Sequence, residues 1–161
     1  MSYSNTALEQ ALHGPHIDTD LFKLLLQTGN SILNIQVGIV SKVYGSNYEL
    51  VEIDGFAGEY KVGDILQIKS TYCRDVIAKE ETIVLSEVQG IRGLQRHPLY
   101  KENPLEAYIG SPIFFDGKVW GTINFSSSQC RATDFSHAEI EFVKACASII
   151  SDSLSSRIRI K

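Results

Sequence analysis

The chain has 161 residues, 43% of them hydrophobic, with 15 basic and 19 acidic side chains mixed along it for a formal charge of −4. At roughly 150 residues per domain this is one domain, and a chain of this size buries roughly 70% of its unfolded surface, which excludes disorder and stapled mini-proteins. No basic stripe is present to neutralise phosphates and no run approaches the ~18 apolar residues of a membrane span, so neither nucleic acid nor membrane is expected as a partner.

Met1 to Gln10 lacks the basic-then-apolar order of a secretory signal, and with three cysteines in no metal-knuckle or disulfide pattern the expected compartment is the cytoplasm. After the loop His13-Gly14-Pro15-His16, Asp18 or Thr19 caps a helix of about three turns carrying Leu21, Phe22, Leu24 and Leu25, with Gly29-Asn30 as its stop. From Ile35 the apolar period changes to two, and Gly45-Ser46-Asn47 turns the chain into a second strand, Tyr48 to Ile53. Gly55 to Gly63 reads as a loop, Ile65 to Lys69 as a short strand, Thr71 to Lys79 as a helix and Thr82 to Leu85 as a β-branched run. Gly90 to Pro104 carries two glycines and two prolines without periodicity, and long ordered crossings of this kind are usually functional.

Ala107 to Phe115 and Lys118 to Ser126 form the clearest hairpin, because Asp116-Gly117 between them favours the positive φ angles of a type I′ turn. Strict alternation on the second strand puts Val119, Gly121, Ile123 and Phe125 on one face and Trp120, Thr122, Asn124 and Ser126 on the other. That second, mixed face suits cover by something partly polar. Ser136 with Glu139 makes a capping box and Phe135 with Ile140 a hydrophobic staple for a closing helix of about five turns. Its apolar stripe of Phe142, Val143, Cys146, Ile149, Ile150 and Leu154 holds Cys146 as a small core residue. The expected fold is α+β, a central antiparallel sheet with residues 18–28 and 136–156 on one face and residues 70–104 over the other.

The segments Tyr108-Ile109-Gly110-Ser111-Pro112-Ile113 and Asp116-Gly117-Lys118-Val119-Trp120-Gly121-Thr122-Ile123-Asn124-Phe125 resemble the strand pair of a GAF domain, and Asp134-Phe135-Ser136-His137-Ala138-Glu139 resembles the start of its last helix. With Thr71-Tyr72-Cys73 and His97-Pro98-Leu99-Tyr100 upstream, the chain looks like the GAF modules attached to bacterial histidine kinases and diguanylate cyclases. The resemblance implies an N-terminal extension over 1–16 and a GAF domain over 17–158. It implies a non-catalytic sensor that binds a small molecule or responds to redox state and signals through its terminal helices. The partner is a second copy or an output domain, in the same chain or in trans. The Asn-Lys-x-x-x-Phe signature of cyclic-nucleotide binders does not occur, and no cofactor is named. Two other GAF types share features with the chain: bilin photoreceptors, through Val119-Trp120-Gly121, and the free methionine sulfoxide reductases, an enzyme reading that would use Cys73.

The expected ligand-binding residues are Tyr72, Cys73, His97, Tyr100, Tyr108, Trp120, Thr122 and Asn124. Cys73 stands where a helix N-terminus and Arg74 would favour a thiolate, against the plainer reading of a buried small residue. His97, held extended by Pro98, and Tyr100 offer hydrogen bonds to a ligand, or are loop residues in water. Cys73, Cys130, His97 and His137 have zinc chemistry but no local ligand pair, so no metal is expected. The closing helix carries more apolar surface than one sheet face needs, with Phe142, Ile149, Ile150 and Leu154 in excess and Ile158 and Ile160 alternating with Arg157 and Arg159 beyond, which predicts a two-fold homodimer through this helix.

Overall fold

The computed structural model describes residues 15–55, 60–85, 107–128 and 133–156. Helix α1 (Thr19–Leu33) is followed by β1 (Val37–Tyr44), β2 (Asn47–Gly55), β3 (Ile65–Gln67), a 3-10 turn at Ile68–Ser70, and α2 (Cys73–Lys79). Then come β4 (Ile83–Leu85), β5 (Ala107–Phe115), β6 (Lys118–Ser127) and α3 (His137–Ser156). The six strands make one antiparallel sheet in the order β3-β2-β1-β6-β5-β4, giving the α+β architecture expected.

Both hairpins close as their turn residues dictate. Tyr44 pairs with Asn47, leaving Gly45-Ser46 as a two-residue loop with Gly45 at φ 58°. In the β5–β6 hairpin Asp116 and Gly117 stand at φ 55° and 77°, the type I′ conformation whose twist matches the flanking strands. At the start of α3 the Ser136 amide donates to Glu139 Oε1 at 2.8 Å and the Glu139 amide to Ser136 Oγ at 3.1 Å, so the capping box forms as read, with Phe135 and Ile140 packed on one core.

Helices α1 and α3 lie on the same face. Phe22 and Leu26 from one and Val143, Cys146, Ile150 and Leu154 from the other meet Val40, Ile109, Ile123 and Phe125 of the sheet. On the opposite face α2 brings Tyr72, Cys73 and Val76 against Tyr48, Leu50 and Tyr108, a separate cluster. The crossing segment Gly90 to Pro104, with His97 and Tyr100, lies outside the described residues.

Three expectations need correction. First, α1, capped by Asp18 as one of the two residues expected (its Oδ1 accepts from the Leu21 amide at 3.1 Å), runs through Gly29-Asn30 to end at Asn34, φ 52°. Gly29 is a point of close approach and not a stop: a Cβ there would fall 2.3 Å from the Phe125 ring. Second, Trp120 leaves the face of Thr122 and Asn124. Ile113 pairs with Gly121 but Phe114 with Val119, so a β-bulge at Trp120 shifts the alternation by one and turns its indole toward Phe22 on α1, 6.4 Å between ring centroids. Third, Ile150 and Leu154 are wholly buried in the chain's own core and are not spare for a partner, whereas Ile149 is 44% exposed. Among the described residues no helix is long and apolar enough to cross a membrane.

Candidate ligand-binding face

On the α2 side of the sheet, alternate residues of β6 and β5 project polar groups into a buried cluster. Thr122 and Asn124 come from β6 and Tyr108 from β5, with Ser41 of β1 aligned opposite Thr122 by the strand register. Tyr48 arrives from β2 and Cys73 from the first turn of α2. Each of these six residues is at most 4% exposed. They meet at the Cys73 sulfur, which has Tyr108 Oη at 3.0 Å, Thr122 Oγ1 at 3.3 Å, and Tyr48 Oη and Asn124 Nδ2 at 3.4 Å. The Asn124 amide also donates to Tyr48 Oη at 2.9 Å, and Ser41 Oγ lies 2.7 Å from Thr122 Oγ1.

The proton count is informative. Thr122 and Asn124 donate to the sulfur while the thiol donates to Tyr48, which leaves Tyr108 as a donor too. Three donors on a thiol, a weak acceptor, are more than that atom needs. The place is donor-rich and, in these side chains, uncharged.

A glycine sets the geometry of the Tyr108 hydroxyl. The ring lies along its own strand over Gly110, where a Cβ would come within 2.3 Å of Oη. Any side chain at position 110 would lift the phenol away from Cys73. The Tyr108 ring also packs on Tyr72, 5.6 Å between centroids.

Burial decides the electrostatics. It pushes the Cys73 thiol up, with the hydrogen bonds it shares with Thr122, Tyr108 and Tyr48 pulling the other way. Burial is also the main cause that holds the Tyr48 and Tyr108 hydroxyls well above the usual phenol range. Of the two readings of Cys73 the buried small residue is the one favoured, and the thiolate is not: α2 has only seven residues, and burial is the largest cause acting on the sulfur.

Of the expected ligand-binding residues, Tyr72, Cys73, Tyr108, Thr122 and Asn124 come together, Trp120 faces the helix layer, and His97 and Tyr100 lie outside the described residues. Sequence reasoning missed Tyr48 and Ser41. Both alternate correctly along the first hairpin, but only the β1–β6 register shows that Ser41 faces Thr122. Among the described residues no group of three or more His, Cys, Asp or Glu could hold a metal ion.

Comparison with known proteins gives the fold its family. No curated protein matches the chain. Among solved structures it resembles the GAF domain of an Acinetobacter phosphoenolpyruvate-protein phosphotransferase, with a TM-score of 0.69 at 16% identity over 93% of this chain and 89% of that one. It also resembles the cyanobacteriochrome receptor PixJ (0.68, 18% identity, 89% and 96% covered). A third likeness is to the type II free methionine-R-sulfoxide reductase of Thermoplasma acidophilum (0.68, 12%, 84% and 91%). At these identities the likeness is one of fold. A family model for the GAF domain matches residues 19–154, from the start of α1 to the last turn of α3, and the chain belongs to the GAF domain family.

Proposed function

We propose that the chain is a non-catalytic sensory GAF module that takes a small uncharged molecule on the sheet face around Cys73 and reports through α1 and α3, as a homodimer or to an output domain in the same chain or in trans. The observation that carries the reading is the donor-rich cluster of Tyr48, Tyr108, Thr122 and Asn124 around one sulfur. A face that served only as core would be filled more cheaply by apolar side chains, since each buried polar group costs about 1–3 kcal/mol when its partner is imperfect. A ligand carbonyl, amide or sulfoxide oxygen accepts such donors better than a thiol does. Among the described residues no charged side chain belongs to the cluster, so these side chains offer an anion nothing to offset its desolvation.

The route to the helices is short. Along β6, Thr122 and Asn124 face the cluster while Ile123 and Phe125 face α1 and α3, so a displacement of this strand is felt in both layers. The neutral, buried thiol favours sensing over thiol catalysis, because a nucleophilic cysteine works as its thiolate.

The test is enrichment of small molecules from a cell extract on the purified chain, read by mass spectrometry, against Asn124→Leu, which removes an amide donor to the cluster. Loss of about 1–3 kcal/mol of hydrogen bonding predicts roughly 5- to 150-fold weaker retention of the bound species. Equal retention by both proteins overturns the site. Turnover of a free sulfoxide that disappears in Cys73→Ser overturns the non-catalytic reading, and visible absorbance in the enriched protein transfers it to a chromophore.

A further inference from the structure

Helix α1 has a weak point near its centre, and one residue of the sheet holds both sides of it. Thr28-Gly29-Asn30-Ser31 is a run of poor helix formers in a helix otherwise rich in leucine. Thr28 Oγ1 donates to the Leu24 carbonyl at 2.8 Å, a back-bond that competes with the helix ladder and favours bending. Gly29 lies directly on the Phe125 ring, so the helix rests there with no side chain of its own.

Asp54, near the end of β2, spans this point. Its backbone carbonyl and its Oδ2 each accept from Asn30 Nδ2 at 2.9 Å. Its Oδ1 lies 3.4 Å from Lys23 Nζ, which also donates to the Ile53 carbonyl at 2.6 Å. Lys23 and Asn30 stand two turns apart on one face of α1, with Thr28-Gly29 between them. Asn30 Oδ1 is buried with no hydrogen-bond partner among the described residues, a cost that an aliphatic residue would avoid, so what the amide contributes is the two bonds of its nitrogen. The Asn30 carbonyl accepts from the Ile35 amide at 3.1 Å, which ties the same residue to the exit of α1 toward β1.

Both strands that touch this point also build the Cys73 face. The Ile53 side chain packs on the cluster of Tyr48, Tyr108 and Cys73, while Asp54, the next residue, turns to α1. Asn124 bonds Tyr48 and Cys73, while Phe125, the next residue, lies under Gly29. We infer that Asp54 is a positioning residue that clamps a joint in α1 at Thr28-Gly29, and that a shift of Ile53 or Asn124 at the Cys73 face reaches the last turn of α1 by loosening or tightening this clamp. The joint gives α1 two arrangements, clamped and open, and the face biases the choice between them.

The coupling rests on the proposed sensing at the Cys73 face, but its test needs no bound molecule. Amide hydrogen exchange and chemical shifts are read on the isotope-labelled full chain as the parent, Asp54→Ala and Lys23→Met, each with and without Tyr48→Phe as the perturbation of the face. Asp54→Ala is expected to speed exchange of the amides of residues 29–32, whose bonds to carbonyls one turn back cross the joint, by roughly 10-fold or more, because bonds to a charged group are lost. Lys23→Met, which leaves Asn30 bonded, is expected between the two and carries the same reading where Asp54→Ala does not fold. The amides of residues 25–27 and 143–150 are expected unchanged. Tyr48→Phe is expected to move the shifts of residues 29–32 in the parent, and no more than about half as far in the Asp54→Ala background. Exchange at residues 29–32 that stays within about twofold of the parent, or that rises equally in α3, overturns the clamp. Shifts that are absent in the parent, or equal in both backgrounds, overturn the coupling. If enrichment from extract fails while these results hold, the sensing reading falls and the clamp stands.

Discussion

Substitution of Gly29 by alanine sets two known effects against each other at one position. In the middle of an exposed helix the change stabilises by about 1 kcal/mol, because alanine loses less backbone freedom than glycine. Here the new Cβ would stand 2.3 Å from the tip of the Phe125 ring, and a Cβ at Gly38 would stand 2.8 Å from the same ring. The ring is fully buried between α1 and β1 and cannot retreat into solvent. Restoring ordinary contact requires a shift of more than 1 Å, which belongs to the overpacking class that costs about 1–3 kcal/mol. The overlap wins, and Gly29→Ala is expected to destabilise by up to about 2 kcal/mol. In a Phe125→Leu background the obstructing atoms are gone and the same change becomes neutral or stabilising, a coupling of about 1–3 kcal/mol between the two sites. Urea titrations of the four proteins, compared at constant m, measure it. A Gly29→Ala protein more stable than the parent by about 1 kcal/mol, or an unchanged effect in the Phe125→Leu background, refutes the reasoning.

Thr122→Val removes the hydroxyl that joins Ser41 to Cys73 and is expected to cost about 1–3 kcal/mol in urea titration, with small-molecule retention falling together with stability. Trp120→Phe probes the bulge: its Nε1 has no hydrogen-bond partner among the described residues, so the change costs stability only through lost packing, about 1–2 kcal/mol, and leaves retention as in the parent. Burial pushes the Cys146 thiol up to about 11 from 9.0. Since the fold favours the neutral thiol, its contribution is intact below about pH 9 and is lost as pH climbs toward 11, and urea midpoints are expected to fall across that window by more in the parent than in Cys146→Ala.

Where a local rule governs an element, the sequence shows it. The Asp116-Gly117 turn, the Ser136–Glu139 capping box and the Asp18 cap are each decided within four residues, and each forms. Gly29 was legible as a glycine but not in its role, because a partner 96 positions away in the chain, Phe125, decides whether it ends a helix or admits a ring. Trp120 fails for a related reason. Period-two alternation assumes an unbroken ladder, and nothing in Lys118 to Ser126 marks the bulge that moves the indole to the other face. The site was half visible: Tyr72, Cys73, Tyr108, Thr122 and Asn124 follow from the phase of their own elements. Tyr48 and Ser41 require the pairing of β1 with both β2 and β6, a tertiary fact.

On the proposed reading, the Cys73 face is where this GAF domain meets its small molecule. The most direct measurement of this is the NMR spectrum of the isotope-labelled chain, recorded with and without the fraction enriched from extract. The side-chain amide of Asn124, bonded to both Tyr48 and Cys73, is the reporter. This amide pair and the backbone amides of Cys73 and Thr122 are expected to shift first and furthest. Shifts confined to the helix layer of α1 and α3, with the Asn124 amide unmoved, would contradict that reading.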